Sequence, residues 1–305
     1  MHGVPQGSVL GPLLFLFYIN DLPNSLKFTS TIIYADDTTL FSKHKNLQYL
    51  CDMLSADLNN VIQWLNCNFL SLNIDKTKFV IFTYKNVPDD LALNINSKSI
   101  KKSDNVDFLG IKLDSKLTFN LHISNVLKKV SKVQGIFYKL REFVPTSALL
   151  KLYYSLFYSN VTYGIEIWGC AATTSINKLF IVQKKIVKMM CNRSIYDHST
   201  PLSIDLSLLK FCDIFKLFCV CYIYKIFNNN NNTFDYLKEY ILNCQCEHGY
   251  NTRFSLLRLP ALALERSKQS MAYQGTMIWN ILPDNITHAQ NKIILKKKCK
   301  EHFLS

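Results

Sequence analysis

The tetrapeptide Tyr34-Ala35-Asp36-Asp37 limits the possible fold and chemistry of this chain more than any other stretch does. It lies between an apolar, β-branched run at residues 31–33 and a second strand-like run at 38–41, which predicts a β-hairpin with both acids at its turn. Two adjacent carboxylates repel each other, and a hard, oxygen-seeking cation such as Mg²⁺ holds both ionised. Clustered carboxylates on a rigid support suit two-metal phosphoryl transfer. Aspartates are also common in turns that have no catalytic role. The neighbouring motifs therefore decide whether this pair indicates a metal site or only a turn.

Composition limits the class of protein and its partners. The 305 residues, 49% of them hydrophobic, are enough for two or three folded units. With 35 Lys and Arg against 22 Asp and Glu, the net charge of +13 indicates a polyanionic partner, nucleic acid rather than membrane. Ten cysteines without CxxC pairs predict reduced thiols and an intracellular protein, in the nucleus or the cytoplasm. The apolar stretches 13–19 and 211–227 are predicted to be core helices, not membrane spans.

The first motif is the glycine-rich run at residues 3–12, with glycine at every fourth position. An apolar run to Ile19 follows it, so we predict a loop that leads into a helix, with Pro12 in the first helical turn. Glycines let a backbone approach a ligand closely. The Gln6 amide can donate and accept hydrogen bonds from a sugar or a base edge, although such a residue is also common in turns.

Four motifs together resemble the ordered series of the reverse transcriptases. They are the run 3–12, the tetrapeptide at 34–37, the segment 72–78 (LNIDKTK) and Phe108-Leu109-Gly110. The alanine before the acid pair and the composition of the first motif most resemble the jockey-like LINE retrotransposons, which lack long terminal repeats. The series covers residues 3 to about 114.

The resemblance implies a role for each motif. Asp36 and Asp37 are expected to bind Mg²⁺, with two ions in the intact enzyme, and Lys76 to neutralise or protonate the leaving pyrophosphate. Lys76 is equally compatible with a solvated loop lysine, and residues 108–110 with a core strand that carries a glycine bulge. The expected nucleotide and template contacts are Pro5, Gln6 and Gly7, and the expected primer contacts are Phe108, Leu109 and Gly110.

One feature departs from the family pattern. In the family, the fingers and a strand with a further metal-binding aspartate precede the glycine loop, and here only Met1-His2 does. The sequence therefore predicts an N-terminally truncated polymerase. We expect no measurable primer extension by the chain as given, because the metal pair lacks a bridging carboxylate.

Between and after these motifs the hydrophobic periodicity predicts the scaffold. Leucine and valine at steps of three and four over residues 47–65 predict one helix, and residues 78–84 (KFVIFTY) predict a strand. Short antiparallel strands are expected at 92–95, 99–102 and 106–113. Residues 123–140 carry a helical apolar stripe beneath a basic face, which resembles a polymerase thumb that contacts duplex phosphates. The expected backbone contacts are Lys128, Lys129, Lys132 and Lys139, although a merely solvated lysine face has the same pattern.

The predicted fold class is α+β: a partial polymerase palm, a helical thumb and a mainly helical C-terminal region. Their boundaries are placed at 1–115, 116–165 and 166–305. The implied function is RNA-templated DNA synthesis, with an RNA template, a DNA primer or RNA–DNA hybrid, and deoxynucleoside triphosphates as partners. Two alternatives use the same residues without catalysis: an inactive nucleic-acid-binding remnant, and a protein-interaction module on an old polymerase scaffold.

Overall fold

The computed structural model describes residues 7–88, 91–95, 98–194, 196–228, 257, 259 and 268–304. The chain divides into two compact units. Unit 1 consists of residues 1–108 and 114–117, and unit 2 of residues 109–113 and 118–305. The predicted domain boundaries at 115/116 and 165/166 stay predictions.

Unit 1 combines helices with small antiparallel sheets. Its helical elements are α1 (Gly11–Ile19), a 3-10 turn (Leu22–Ser25) and α2 (Leu47–Cys67). Its strands pair as hairpins β1 (Ser30–Tyr34) with β2 (Asp37–Phe41), and β3 (Ala92–Ile95) with β4 (Lys98–Lys101). Strands β5 (Asn105–Phe108) and β6 (Ile111–Asp114) form a third two-stranded sheet. The described strands thus form three two-stranded sheets, and the pairs β1–β2 and β3–β4 are antiparallel, as predicted.

Helix α2 forms the support of unit 1. Asn46 caps its first turn, since the side-chain oxygen accepts a hydrogen bond from the Tyr49 N–H at 3.2 Å. Leu58 and Val61 of the predicted stripe are buried. The helix contacts β3 and the 3-10 turn, so the prediction of one amphipathic helix at 47–65 is confirmed.

Unit 2 is helical in the described residues from 120 onward. Its helices are α3 (Asn120–Leu140), α4 (Thr146–Leu152), a π-helical turn (Tyr153–Tyr158), α5 (Ser159–Thr162), α6 (Ile165–Trp168), α7 (Thr173–Met190), α8 (Ser199–Asp205), α9 (Phe211–Asn228), α10 (Met271–Ile281), α11 (Asp284–Thr287) and α12 (Lys292–Leu304). One apolar cluster joins the thumb-like helices to the helices after residue 166, because buried residues from Phe119 to Cys299 belong to it. Trp168 lies in this cluster, fully buried.

A buried amide also joins the helices of unit 2. Gln183 of α7 donates to the Tyr153 hydroxyl and to the Leu209 carbonyl, both at 2.8 Å. Its carbonyl oxygen accepts from the Phe211 N–H at 2.8 Å. Since every polar atom of this side chain is used, the amide fixes α7 against the start of α9 without leaving an unpaired group.

Two predicted elements differ from the structure. Residues 78–84 form no strand: Phe79 makes an isolated bridge with Lys102, and the rest of the segment is irregular. Helix α1 exists as predicted and has proline in its first turn, but only Ile19 is buried, so it is not a core helix in the part of the chain that is described. Helix α9, in contrast, is a core helix, as the apolar run 211–227 predicts. Among the described residues, no helix is both long and apolar enough to span a membrane.

Candidate active site

The hairpin β1–β2 presents the acid pair at its tip. The strands pair in register from Ser30 with Phe41 to Tyr34 with Asp37, so Ala35 and Asp36 form a two-residue loop and Asp37 is the first residue of β2. Ala35 has φ +52°. A positive φ at the first loop residue is a feature of the type II′ turns that suit tight hairpins, and it is strained for any residue but glycine. The predicted hairpin is confirmed, with its backbone strain next to the acids.

Both carboxylates face solvent. Asp36 and Asp37 are exposed, and within the described residues neither side chain has a hydrogen bond or an ion pair. Two exposed, unpartnered carboxylates on consecutive residues are suitable oxygen ligands for a divalent cation. The described residues contain no group of three or more His, Cys, Asp or Glu side chains that could hold a metal ion. The role of Asp36 and Asp37 as metal ligands therefore stays a prediction.

Apolar contacts hold the hairpin on α2. Ile33 of β1 and Leu40 of β2 pack against the cluster around buried Val61. Leu40 also packs against the cluster of Leu58 and Ile100. Since Ile33 and Leu40 come from both strands, this face of the hairpin is fixed to the helix and leaves the tip free.

Lys76 lies in a turn on the same support. Its backbone N–H donates to the Asn73 side-chain oxygen at 3.2 Å, and the side chain is exposed. Ile74, two residues earlier, packs against the same apolar cluster as Leu40. The turn that carries Lys76 and the hairpin that carries the acid pair therefore both pack against the apolar cluster of Leu58 and Ile100.

The glycine loop is described from Gly7 onward, and the predicted contacts Pro5 and Gln6 lie outside the described residues. Gly7 is exposed and has φ +87°, a conformation that glycine adopts without strain. A Cβ at Gly7 would meet no atom within 4 Å, so the backbone conformation and not crowding favours glycine here, and the predicted approach of this backbone to a ligand stays a prediction.

The predicted primer contacts form a turn and not a continuous strand. Leu109 and Gly110 have φ of +47° and +80°, as in a type I′ turn between β5 and β6. The Tyr163 hydroxyl donates to the Leu109 carbonyl at 2.6 Å, and its ring lies 3.5 Å from the place where a Cβ on Gly110 would stand. Strand structure predicted across residues 106–113 is interrupted here because both turn residues take positive φ.

Helix α3 has one apolar and one basic face. Ile123, Val126, Val130, Val133 and Phe137 are buried. The predicted phosphate contacts are all exposed: Lys128, Lys129, Lys132 and Lys139. An amphipathic helix with free lysines on its outer face can contact a nucleic-acid backbone, and its role in doing so stays a prediction.

Sequence reasoning missed Asp57 of α2. This carboxylate is completely buried, and three consecutive backbone N–H groups donate to it: those of Lys27 at 2.9 Å, Phe28 at 2.8 Å and Thr29 at 2.7 Å. The Thr29 hydroxyl donates a fourth bond at 2.9 Å. The available signal was its place within the apolar stripe, three residues after Leu54 and four before Val61.

The environment of Asp57 shifts its pKa in a definite direction. Desolvation by burial raises the pKa, but the hydrogen bonds from residues 27–29 outweigh this effect and leave the pKa below its ordinary value. A carboxyl with a depressed pKa stabilises the folded state above its unfolded pKa of about 3.9, and this contribution is lost as the pH falls through the folded pKa.

We therefore expect acid to destabilise unit 1 through Asp57. In urea titrations between pH 7 and pH 2, followed by a probe in unit 1, the unfolding free energy should fall below about pH 4. In Asp57→Asn the fall should be smaller, from a lower starting stability at neutral pH. A variant with the same pH profile as the parent would contradict the assignment.

The sequence is similar to known proteins over much of its length. Residues 1–113 match the family described as reverse transcriptase (RNA-dependent DNA polymerase). The matched residues are similar to this family, and they include the hairpin that carries Asp36 and Asp37.

The curated relatives include RNA-directed DNA polymerases, established or probable, of mobile elements and transposons. The chain is 28% identical over 222 residues to the RNA-directed DNA polymerase from mobile element jockey of Drosophila melanogaster. It is equally similar, over 213 residues, to the probable RNA-directed DNA polymerase from transposon X-element of the same fly. These alignments cover 69% and 68% of this chain but 24% and 23% of the relatives, so the chain spans about a quarter of their length. No solved structure matches the chain.

Proposed function

We propose that this chain supplies part of an RNA-directed DNA polymerase: the acid-bearing hairpin of the palm and a thumb that holds the template–primer duplex. The observation that carries the proposal is the pair of exposed carboxylates, Asp36 and Asp37, at the tip of a hairpin within the segment that matches the reverse transcriptase family. The substrates are an RNA template, a DNA primer and deoxynucleoside triphosphates.

In this proposal Asp36 and Asp37 hold Mg²⁺ through their oxygens. When bound, the metal ions neutralise charge that develops on the attacking and leaving oxygens during nucleotidyl transfer. The remaining ligand comes from outside the described residues, because these contain no third carboxylate or imidazole beside the pair. The role of the hairpin is to keep the two carboxylates adjacent and ionised in water.

Other residues position the substrates. Lys76 stands in an exposed turn on the apolar cluster that also supports the hairpin, where an ammonium group can donate a proton to pyrophosphate. The turn at Leu109-Gly110 offers exposed backbone to a primer end, and Tyr163 keeps its conformation rigid. The proposed nucleotide and template contacts are Pro5, Gln6 and Gly7. The proposed primer contacts are Phe108, Leu109 and Gly110.

The domain assignment follows the same proposal. Residues 1–115 form the palm part, residues 116–165 the thumb and residues 166–305 a C-terminal region. Helix α3 supports the thumb assignment, since its apolar face is buried in unit 2 while its lysines stay free for phosphates. The shared core of unit 2 makes the last two parts one folded body.

Binding of a divalent ion tests the hairpin without requiring turnover. Mn²⁺ replaces Mg²⁺ at oxygen ligands, and we expect it to broaden amide NMR signals most strongly at residues 34–38. Mutating a residue that only hydrogen-bonds to a metal ligand typically lowers metal affinity about 10–100-fold. Removing the ligands themselves, in Asp36→Asn/Asp37→Asn, should therefore lower Mn²⁺ affinity at least about 100-fold.

The chain contains a matched control for this experiment. Asp89 and Asp90 are a second adjacent acid pair in the sequence. Asp89→Asn/Asp90→Asn makes the same change in charge, and broadening at residues 34–38 should persist in that variant. Equal loss in both variants, or broadening spread evenly over the acidic residues of the wild-type chain, would show that the hairpin is not a metal site.

A further inference from the structure

We propose that Asp57 is a positioning residue for the acid pair: its buried carboxylate fixes the segment that enters β1 and thereby fixes where Asp36 and Asp37 stand. This inference rests on the proposed metal-binding function of the hairpin. Asp57 touches neither substrate nor metal in the proposal, so its effect reaches the tip only through residues 27–34.

The contacts of Asp57 are concentrated on one short segment. One carboxylate oxygen accepts from the Lys27 N–H, and the other accepts from the Phe28 N–H, the Thr29 N–H and the Thr29 hydroxyl. These four bonds are 2.7–2.9 Å long. Strand β1 begins at the next residue, Ser30. The carboxylate therefore clamps the chain directly at the base of the hairpin.

In the described part of the chain, the negative charge of the Asp57 carboxylate is stabilised by hydrogen bonds and not by an ion pair. Asp57 is 0% exposed, and within the described residues no cationic side chain pairs with it. Its negative charge is balanced by successive backbone N–H groups, which form stronger hydrogen bonds with an ionised acceptor than with a neutral one. Asn60, one turn later on α2, adds a weaker bond at 3.4 Å. A neutral side chain of the same size cannot satisfy all these donors.

The hairpin needs such an anchor. A two-stranded ribbon is marginally stable alone, and β1 pairs only with β2 in its sheet. Apolar contacts of Ile33 and Leu40 resist lifting from α2 but have no directional preference along the strand. Hydrogen bonds to Asp57 are directional and short, so they prevent the strand from sliding. Metal ligands must be held within about 0.5 Å, which makes such an anchor relevant to function.

Two variants separate positioning from loss of charge. Asp57→Asn keeps the shape but replaces one acceptor oxygen by a donor group that opposes backbone N–H groups. Thr29→Val removes only the hydroxyl bond, changes no charge and keeps the β-branched shape that a strand entry favours. The matched control is Asp52→Asn, which changes an exposed carboxylate on the same helix.

The readouts are amide hydrogen exchange at residues 27–34 and Mn²⁺ broadening at residues 34–38, both measured on the full chain. In Asp57→Asn we expect exchange at residues 27–34 to rise about 10-fold or more, and Mn²⁺ affinity at the hairpin to fall about 10-fold with both hairpin acids in place. Thr29→Val should show both effects at about 3-fold. Asp52→Asn should show neither, and exchange in α3 should stay unchanged in all three variants.

The outcomes distinguish the inference from the proposed function. If the wild-type chain does not bind Mn²⁺ at the hairpin, the proposed function is wrong. If the wild type binds and Asp57→Asn or Thr29→Val exchanges faster with unchanged Mn²⁺ affinity, Asp57 only stabilises the fold and the positioning role is overturned. Should Asp57→Asn fail to fold, Thr29→Val alone decides between these results.

Discussion

Replacing Lys128, Lys129 and Lys132 together by alanine is expected to flatten the salt dependence of binding to an RNA–DNA hybrid. Each neutralised phosphate contributes a slope of about −0.9 to a plot of log K against log salt, so losing three contacts should change the slope by about two to three. The three side chains are exposed on α3, and the buried stripe of the same helix is untouched. Alanine favours helix, so the fold should persist.

The measurement is fluorescence anisotropy of a labelled hybrid between 50 and 300 mM salt, with thermal unfolding as a check of the fold. The matched control changes the same charge elsewhere in unit 2: Lys292, Lys296 and Lys297 are exposed lysines of α12. If their replacement by alanine flattens the slope and the α3 variant does not, binding is carried by the C-terminal helix. That result would reject the thumb proposal and favour a binding or interaction role.

Trp168→Ala is expected to destabilise unit 2 as a whole. The indole is 0% exposed, its centroid lies 5.3 Å from the His122 ring of α3 and 6.0 Å from the Phe211 ring of α9, and its N–H donates to the Tyr163 carbonyl at 2.9 Å. Truncating a buried tryptophan to alanine costs about 3–5 kcal/mol, a large share of the stability of about 5–15 kcal/mol that a domain has.

The experiment is urea unfolding, with the amide hydrogen exchange of α3 and of α9 measured separately as the two readouts. Because one core joins both helices, their protection should be lost together and by the same free energy. Phe143→Ala, at a side chain that is 83% exposed, serves as the aromatic control and should change stability by less than about 0.5 kcal/mol. Loss of protection in α3 with α9 intact would show two independent folding units that meet near residue 165.

Elements whose signal is local could be predicted from the sequence. The hairpin at residues 30–41 follows from β-branched strands around a two-residue turn. Helices α2 and α3 follow from apolar residues at steps of three and four. Most residues of the predicted stripe of α3 are buried, whereas Leu140 is half-buried and the buried His122 was not part of the stripe. In each case the partners of the backbone hydrogen bonds lie a few residues away, so the pattern and the structure depend on the same short stretch.

Only the tertiary structure decided which segments find a distant partner. The run at residues 78–84 has the composition of a strand, but its only β-bridge in the described residues joins Phe79 to Lys102. Because no neighbouring strand among those residues supplies a ladder of hydrogen bonds, this run does not form a strand. Asp57 looks like one acid within an apolar stripe, and its donors lie 28–30 residues earlier in the chain. The sequence alone determined that a hairpin presents Asp36 and Asp37, because strand and turn preferences are local. The anchoring of that hairpin was decided by folding, because it depends on hydrogen bonds between segments that only the tertiary structure brings together.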